Sequence, residues 1–419
     1  MSSSACVKDR GVKTFASGLY CKECGKRFEL SLRNACDECF APLEVRYDES
    51  AVGEKLSRDT VSGGPQNIWR YWPLLPVNRE EGLKGLNPGM TPLRECRNLA
   101  RKLGLKRVLV KDDTVNPTYS FKDRPVATSV PLAIQFGLEG VGCASTGNLA
   151  GATAASAAKY GIPCYVLVPQ GLDRNKLLAA HAYGAEIVEV KGTYDTANRL
   201  ANLVADRHSI GLVNINLRPY YVEGSKTLAF EIVEQLGWEE PDRMIVPMGS
   251  GALLTAVGKG ITELRRHGLS SGSCSISGTQ PAGCSPISSS LESGELLPVE
   301  EPHTVAESLA IGDPASGHDA AGVIRSTGGF ADAPTDEEIV EAQLLLAREE
   351  GIFAEPAGGT VIASLKRRVE DGTISGDETV VCLVTGNGLK VPAHLLHGIR
   401  SSRVGPVLEE VETAFRSVV

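Results

Sequence analysis

NPTYSFKDR, residues 116–124, sets a single lysine, Lys122, among small and aromatic neighbours just ahead of a long Ala/Val/Gly-rich region. A lysine by itself is most often a solvated surface residue. Here three further elements follow it in order: STGN (Ser145 to Asn148), a glycine turn after a strand (Gly249 to Gly251), and TGNGLK (Thr385 to Lys390). Together they supply an amine, a hydroxyl-and-amide loop, a phosphate-sized backbone cradle and a hydroxyl at a strand end. That is the set a phosphorylated aldehyde cofactor needs. It predicts pyridoxal 5'-phosphate, with Lys122 forming the internal Schiff base.

Working outward from this stretch, strands and helices alternate. GVGCAS (Gly140 to Ser145) reads as a buried strand, Leu149 to Tyr160 as an Ala-rich helix stopped by Gly161 and Pro163, and CYVLVP (Cys164 to Pro169) as the next strand. A helix to Tyr183, the strand EIVEV, a helix over Thr196 to Asp206 and the strand LVNIN (Leu212 to Asn216) continue the rhythm. RMIVPM, SISGTQ and TVVCLVT add further strands. Such alternation predicts an α/β fold with parallel sheets covered on both faces. Ligands then bind where loops leave the carboxyl ends of strands and helix amino termini face the crevice. In that geometry Ser145, Thr146 and the backbone of STGN suit a substrate carboxylate, and the Asn148 amide suits a ring oxygen. The Gly249–Gly251 turn suits a dianionic phosphate held by N–H groups. Thr385 is placed to meet the pyridine nitrogen. A hydroxyl there cannot force that nitrogen to stay protonated, which suits elimination and replacement at the side chain.

The amino terminus forms a unit of its own. LYCKECGKRFELSLRNACDECFAPLEVRY holds two C-x-x-C knuckles, Cys21/Cys24 and Cys36/Cys39, separated by eleven residues. Four thiolates close a tetrahedral zinc site with no open position, so the expected zinc ribbon is structural. The other seven of the eleven cysteines are scattered, a poor disulfide framework that suits a reducing compartment. The net charge of −8 argues against nucleic-acid or acidic-membrane partners, no apolar run reaches spanning length, and the first residues lack a signal-peptide core. A cytoplasmic protein is expected. At 419 residues the chain is long enough for two lobes. The expected division is a ribbon over 1–48, a polar connector over 49–84, a large cofactor-binding lobe from 85–130 and 235–400, a small lobe over 131–234 carrying STGN, and a terminal segment over 401–419.

Strings along nearly the whole chain carry a resemblance: the cysteine knuckles, WRYWPLLPV (Trp69 to Val77), GMTPL (Gly89 to Leu93), VKDDTVNPTYSFKDR, CASTGNLAGATAA, NINLRPYYVEGSKTLAFEI, AEPAGGT (Ala354 to Thr360) and TGNGLK. The chain resembles threonine synthases, within the tryptophan-synthase-β-like, fold type II pyridoxal-phosphate enzymes. The resemblance implies that Lys122 is the Schiff-base lysine and Asn148 contacts the cofactor's phenolic oxygen. Gly249, Ser250, Gly251, Ala252 and Leu253 would wrap its phosphate, and Thr385 would face the ring nitrogen. It also implies a homodimer. Departures from the family pattern cluster around the substrate side chain. Tyr119 and Pro125 stand where many members have glycine, Pro88 precedes Gly89, and Tyr221 fills the usual arginine position, with Arg218 slightly upstream.

The expected reaction is O-phospho-L-homoserine plus water to L-threonine plus phosphate, a carbon–oxygen lyase chemistry. Lys122, displaced by the substrate amine, removes the α- and then a β-proton, phosphate leaves the γ-carbon, and water adds at the β-carbon. Thr91, Lys111 and Arg218 are the candidate contacts for the substrate phosphate. One rival is a replacement enzyme on the same scaffold, such as a cysteate-synthase-like enzyme using O-phosphoserine, or a specialised-metabolism paralogue. Another is a zinc-ribbon or nucleic-acid-binding protein with a dead enzyme lobe.

Overall fold

The computed structural model describes residues 14–145, 147–192 and 194–391, with positions 394, 395, 403, 404, 406, 408, 409 and 412 beyond them. Most of the expected terminal segment and the Thr146 side chain lie outside the described residues. Three antiparallel strands come first: β1 (Ala16–Cys21), β2 (Arg27–Phe28) and β3 (Leu43–Tyr47), in the order β2-β1-β3. Along β3, Leu43, Val45 and Tyr47 are buried while Glu44 and Arg46 alternate toward the other face, the period-two pattern of a one-sided sheet.

The segment after it, read as a plain connector, is helical. Asp48 accepts from the N–H groups of Ser50 and Ala51 to cap Glu49–Lys55, and Ser57 forms a capping box with Thr60 at Arg58–Ser62. Each short helix buries one valine, Val52 or Val61, and the turn that follows buries Ile68, Trp69, Tyr71 and Leu74. Polar composition hid these caps, whose side chains are polar because they serve the backbone.

Ten strands follow: β4 (Leu93–Glu95), β5 (Arg107–Asp112), β6 (Gly140–Cys143), β7 (Cys164–Pro169), β8 (Glu186–Val190), β9 (Ile210–Leu212), β10 (Arg243–Pro247), β11 (Ser275–Thr279), β12 (Ala331–Asp332) and β13 (Thr379–Val384). They make two sheets. One has the order β12-β11-β10-β13-β5-β4, parallel except for β4 at its edge; the other, β8-β7-β6-β9, is wholly parallel. The chain thus enters the first sheet, builds the second from residues 140–212, and returns. Strands β6 and β10 are buried at every position, as parallel strands covered by helices on both faces must be. The Ala-rich helix Asn148–Tyr160 stops at Gly161 in the left-handed region, as expected.

One strand is shorter than its sequence suggests. LVNIN stays extended only to Leu212, because the Asn216 side chain bonds both the Leu212 N–H and the Ile210 carbonyl and folds the chain back. The helix Arg218–Ser225 then packs closely on Asp123–Gln135. A Cβ on Gly224 would lie 2.2 Å from the Arg124 carbonyl oxygen, so only glycine permits this approach.

Candidate active site

The carboxyl ends of β6, β10 and β13 lead into STGN, GSG and TGN respectively, and the Lys122 segment is hydrogen-bonded to the last of these. The Phe121 N–H donates to the Thr385 carbonyl at 2.9 Å, and Ser120 bridges Gly386. Tyr119 takes φ 63°, so the backbone keeps the left-handed turn that glycine adopts easily, at an expense of about 1 kcal/mol. Its carbonyl accepts from the Asn387 N–H at 3.1 Å, which holds the two loops together. Pro125 is the third residue of its helix, in the first turn, where its missing N–H is no loss.

Lys122 sits half-buried at the amino end of that helix. Its Nζ donates to the Tyr221 hydroxyl at 2.9 Å and lies 4.4 Å from the centre of the Phe121 ring. Asn148 opens its helix and donates through Nδ2 to both carboxylate oxygens of Glu355, at 3.0 and 2.9 Å. Burial pushes the Glu355 carboxyl above its ordinary value, while the Asn148 amide and the charges of Lys390 and Lys122 pull it back. Neither Tyr221 nor Glu355 was among the expected site residues. Tyr221 was visible only as a departure from a pattern, and Glu355 only inside AEPAGGT.

The Gly249–Gly251 turn leads from β10 into the 15-residue helix Ala252–Arg266. Gly251 has φ 85°, and a Cβ there would meet the Ser316 carbonyl oxygen at 2.7 Å. The Ser316 N–H in turn donates to the Ser250 carbonyl at 2.9 Å. This fixed turn leaves the first N–H groups of the helix, around Ala252 and Leu253, without partners inside the helix, an anion cradle. Ser145 precedes Asn148 on the neighbouring loop, and Thr385 is buried at the end of β13. The cradle, the lysine and the amide fit pyridoxal phosphate.

Two expected substrate contacts, Lys111 and Thr91, have their polar groups taken up by protein partners, and the third, Arg218, has one nitrogen engaged. The Lys111 ammonium is fully buried and gives its three donors to Glu231 (2.7 Å), the Thr91 carbonyl (2.7 Å) and Gln235 (2.9 Å), leaving none for a substrate. The Thr91 hydroxyl donates to Asp113 and accepts from Arg124. Both residues serve a buried network centred on Arg124, which is bidentate to Asp113 and to Glu231. Arg218 donates to Ser316 Oγ at 2.9 Å and the Ala315 carbonyl at 3.3 Å. It thus braces the segment behind the phosphate cradle and lines a cavity of about 220 Å³ shared with Lys22, Glu44 and Asp319.

In the amino-terminal unit, one sulfur from each of Cys21, Cys24, Cys36 and Cys39 lies within 4.8 Å of the rest. Zinc–thiolate bonds of about 2.3 Å put tetrahedral sulfurs roughly 3.8 Å apart, so the cluster fits a zinc ion.

The family model for pyridoxal-phosphate dependent enzymes matches residues 85–386. The chain belongs to this family. Among relatives of this pyridoxal-phosphate enzyme, a protein of Methanocaldococcus jannaschii named threonine synthase is 42% identical over 89% of this chain and 92% of its own length. One of the same name from Methanosarcina acetivorans is 39% identical, again over 89% and 92%. Among solved structures, a fungal L-serine ammonia-lyase from Rhizomucor miehei superposes with a TM-score of 0.64 at 23% identity, covering 74% of this chain and 97% of that one. The last shows a shared fold alone. Among the described residues of the enzyme, no helix is long and apolar enough to cross a membrane.

Proposed function

We propose that the chain converts O-phospho-L-homoserine and water to L-threonine and phosphate. The observation that carries this reading is the 42% identity, over nearly the full length of both chains, to a protein named threonine synthase. The order of Lys122, Asn148 and the Gly249–Leu253 turn along the chain, with the last two following the parallel strands β6 and β10, supports it.

Bound pyridoxal phosphate supplies the electron sink that stabilises negative charge left when a C–H bond beside the amino group gives up its proton. Lys122 is the proposed residue that holds the cofactor and moves those protons. Asn148 would orient the ring through its phenolic oxygen, with Glu355 holding the amide in place. Gly249, Ser250, Gly251, Ala252 and Leu253 would bind the phosphate through their N–H groups, and Thr385 would meet the ring nitrogen. Ser145 and Thr146 are the proposed carboxylate site. Zinc on the four cysteines, a homodimer, a cytoplasmic location and the division into a ribbon and two lobes complete the proposal.

A second reading, a replacement reaction on O-phosphoserine, is favoured by Tyr221 in the resembled family's arginine position. Release of phosphate from O-phosphohomoserine against O-phosphoserine, with products identified by mass, decides between them. Threonine formed from the first substrate supports the proposal, and turnover of the second alone overturns it.

A further inference from the structure

We propose that Tyr221 is the positioning residue for Lys122, holding its amine whenever that amine is not joined to the cofactor. The amine donates to the Tyr221 hydroxyl at 2.9 Å, and Tyr221 is only 8% exposed. A lysine on a four-carbon stem has many rotamers, so one firm acceptor decides where its nitrogen points. The Phe121 ring, 4.4 Å away, walls the same nitrogen on a second side.

Tyr221 itself has little freedom. Its helix touches Asp123–Gln135 at Gly224, and the Thr128 hydroxyl donates to the Tyr220 carbonyl at 2.8 Å. From the ribbon, the Ser31 N–H donates to the Tyr220 hydroxyl and the Ser31 carbonyl accepts from it, while Asn34 donates to the Ile215 carbonyl. Tyr47 donates to Glu223 at 2.6 Å. The helix is therefore clamped from both sides, and the clamp delivers one hydroxyl to one amine. An arginine at 221 would set a second cation beside the lysine in a half-buried site. A phenol is neutral and accepts, so it suits an amine that gains a proton from the substrate carbon and must keep its orientation. Glu355, whose charge also acts on the amine, is already engaged with Asn148.

The test uses full-length protein stripped of pyridoxal phosphate and reloaded, with growth of the visible absorbance of the lysine-bound cofactor as the readout. Tyr221→Phe keeps the ring and removes the acceptor. Reloading should slow by about tenfold, the worth of one ordinary hydrogen bond. Tyr160→Phe, which removes a part-buried phenolic hydrogen bond to the Glu81 carbonyl and leaves the Arg218–Ser225 helix and its clamp intact, should reload within about twofold of wild type. A second arm rests on the threonine-synthase reading: in Tyr221→Phe, kcat should fall about tenfold while KM for O-phosphohomoserine stays within about twofold. Reloading of Tyr221→Phe at the wild-type rate, or equal slowing in both variants, overturns the proposal. A raised KM with unchanged kcat also overturns it, because Tyr221 would then bind substrate. If O-phosphohomoserine is not a substrate at all, the reloading arm still decides, since it needs none.

Discussion

Lys122 is one of many lysines, and what distinguishes it is company: an acceptor hydroxyl at 2.9 Å, an aromatic wall and a carboxylate–amide pair next door. Lys122→Ala should therefore fold normally and bind pyridoxal phosphate without the visible absorbance of the lysine-bound form; a variant that keeps that absorbance and turns over substrate would remove Lys122 from its role. Arg218 teaches the opposite lesson. Its charge suggested a substrate phosphate, but its partners are Ser316 and Ala315, one hydrogen bond removed from the Ser250 turn. Arg218→Ala should weaken retention of the cofactor during dialysis several-fold. Full retention together with a selective loss of kcat/KM for the phosphorylated substrate would return Arg218 to the substrate.

At the level of elements, the decisive contact is between two helices, Asp123–Gln135 and Arg218–Ser225. Gly224 lets the second lie against the Arg124 carbonyl and the Pro125 Cα, where a Cβ would stand at 2.2 and 2.7 Å. Gly224→Ala must push the helices apart or distort both. Such overpacking is worth about 1–3 kcal/mol, and it moves Tyr221 relative to Lys122. The expected outcome is a lower urea midpoint and slower reloading of the cofactor; a midpoint equal to wild type would show that the helices separate without strain. The glycine was legible in the sequence as part of YVEGSKT, but its neighbour was not. A sequence shows that a residue is small, and only packing shows what needs the space.

Across the whole molecule, ion networks are buried around Arg124 and Glu231 and around Lys226 and Glu223. Burial alone would raise the Glu231 carboxyl, but Arg124 and Lys111 hold it at about 2. An acid lowered in the folded state stabilises it above the ordinary value of 4.5, and that contribution fades as pH falls from 4.5 toward 2. Glu231→Gln should cost about 3 kcal/mol at neutral pH, because Arg124 and Lys111 lose a shared partner. It should also flatten the fall of stability on acidification below pH 4.5. Denaturant midpoints of both proteins across that range check both effects, and parallel pH curves would contradict the assignment. The ribbon is tied to the enzyme lobe through Tyr47, Ser31, Asn34 and a Lys22–Asp319 ion pair of 3.0 Å. Cys36→Ser should therefore abolish zinc binding and lower the melting temperature while turnover survives at a reduced level. Purified wild-type protein without zinc would defeat this expectation.

The amino-acid order by itself determined the alternation of strands and helices, the four-cysteine unit and the order of the lysine, STGN, glycine-turn and TGN elements. Each of these is written locally, as periodicity, spacing or a backbone need for glycine. The caps that make the connector helical are also local, yet they were hidden by a composition that loops share. What only the tertiary structure decided is which side chains meet across hundreds of residues. Lys111 and Thr91 are drawn into a buried ion network, Arg218 is drawn behind the cradle, Glu355 takes the Asn148 amide, and Tyr221 takes the lysine. The physical reason is that a charged side chain goes where its desolvation is best compensated, and its compensating partners come from elements far apart in the chain.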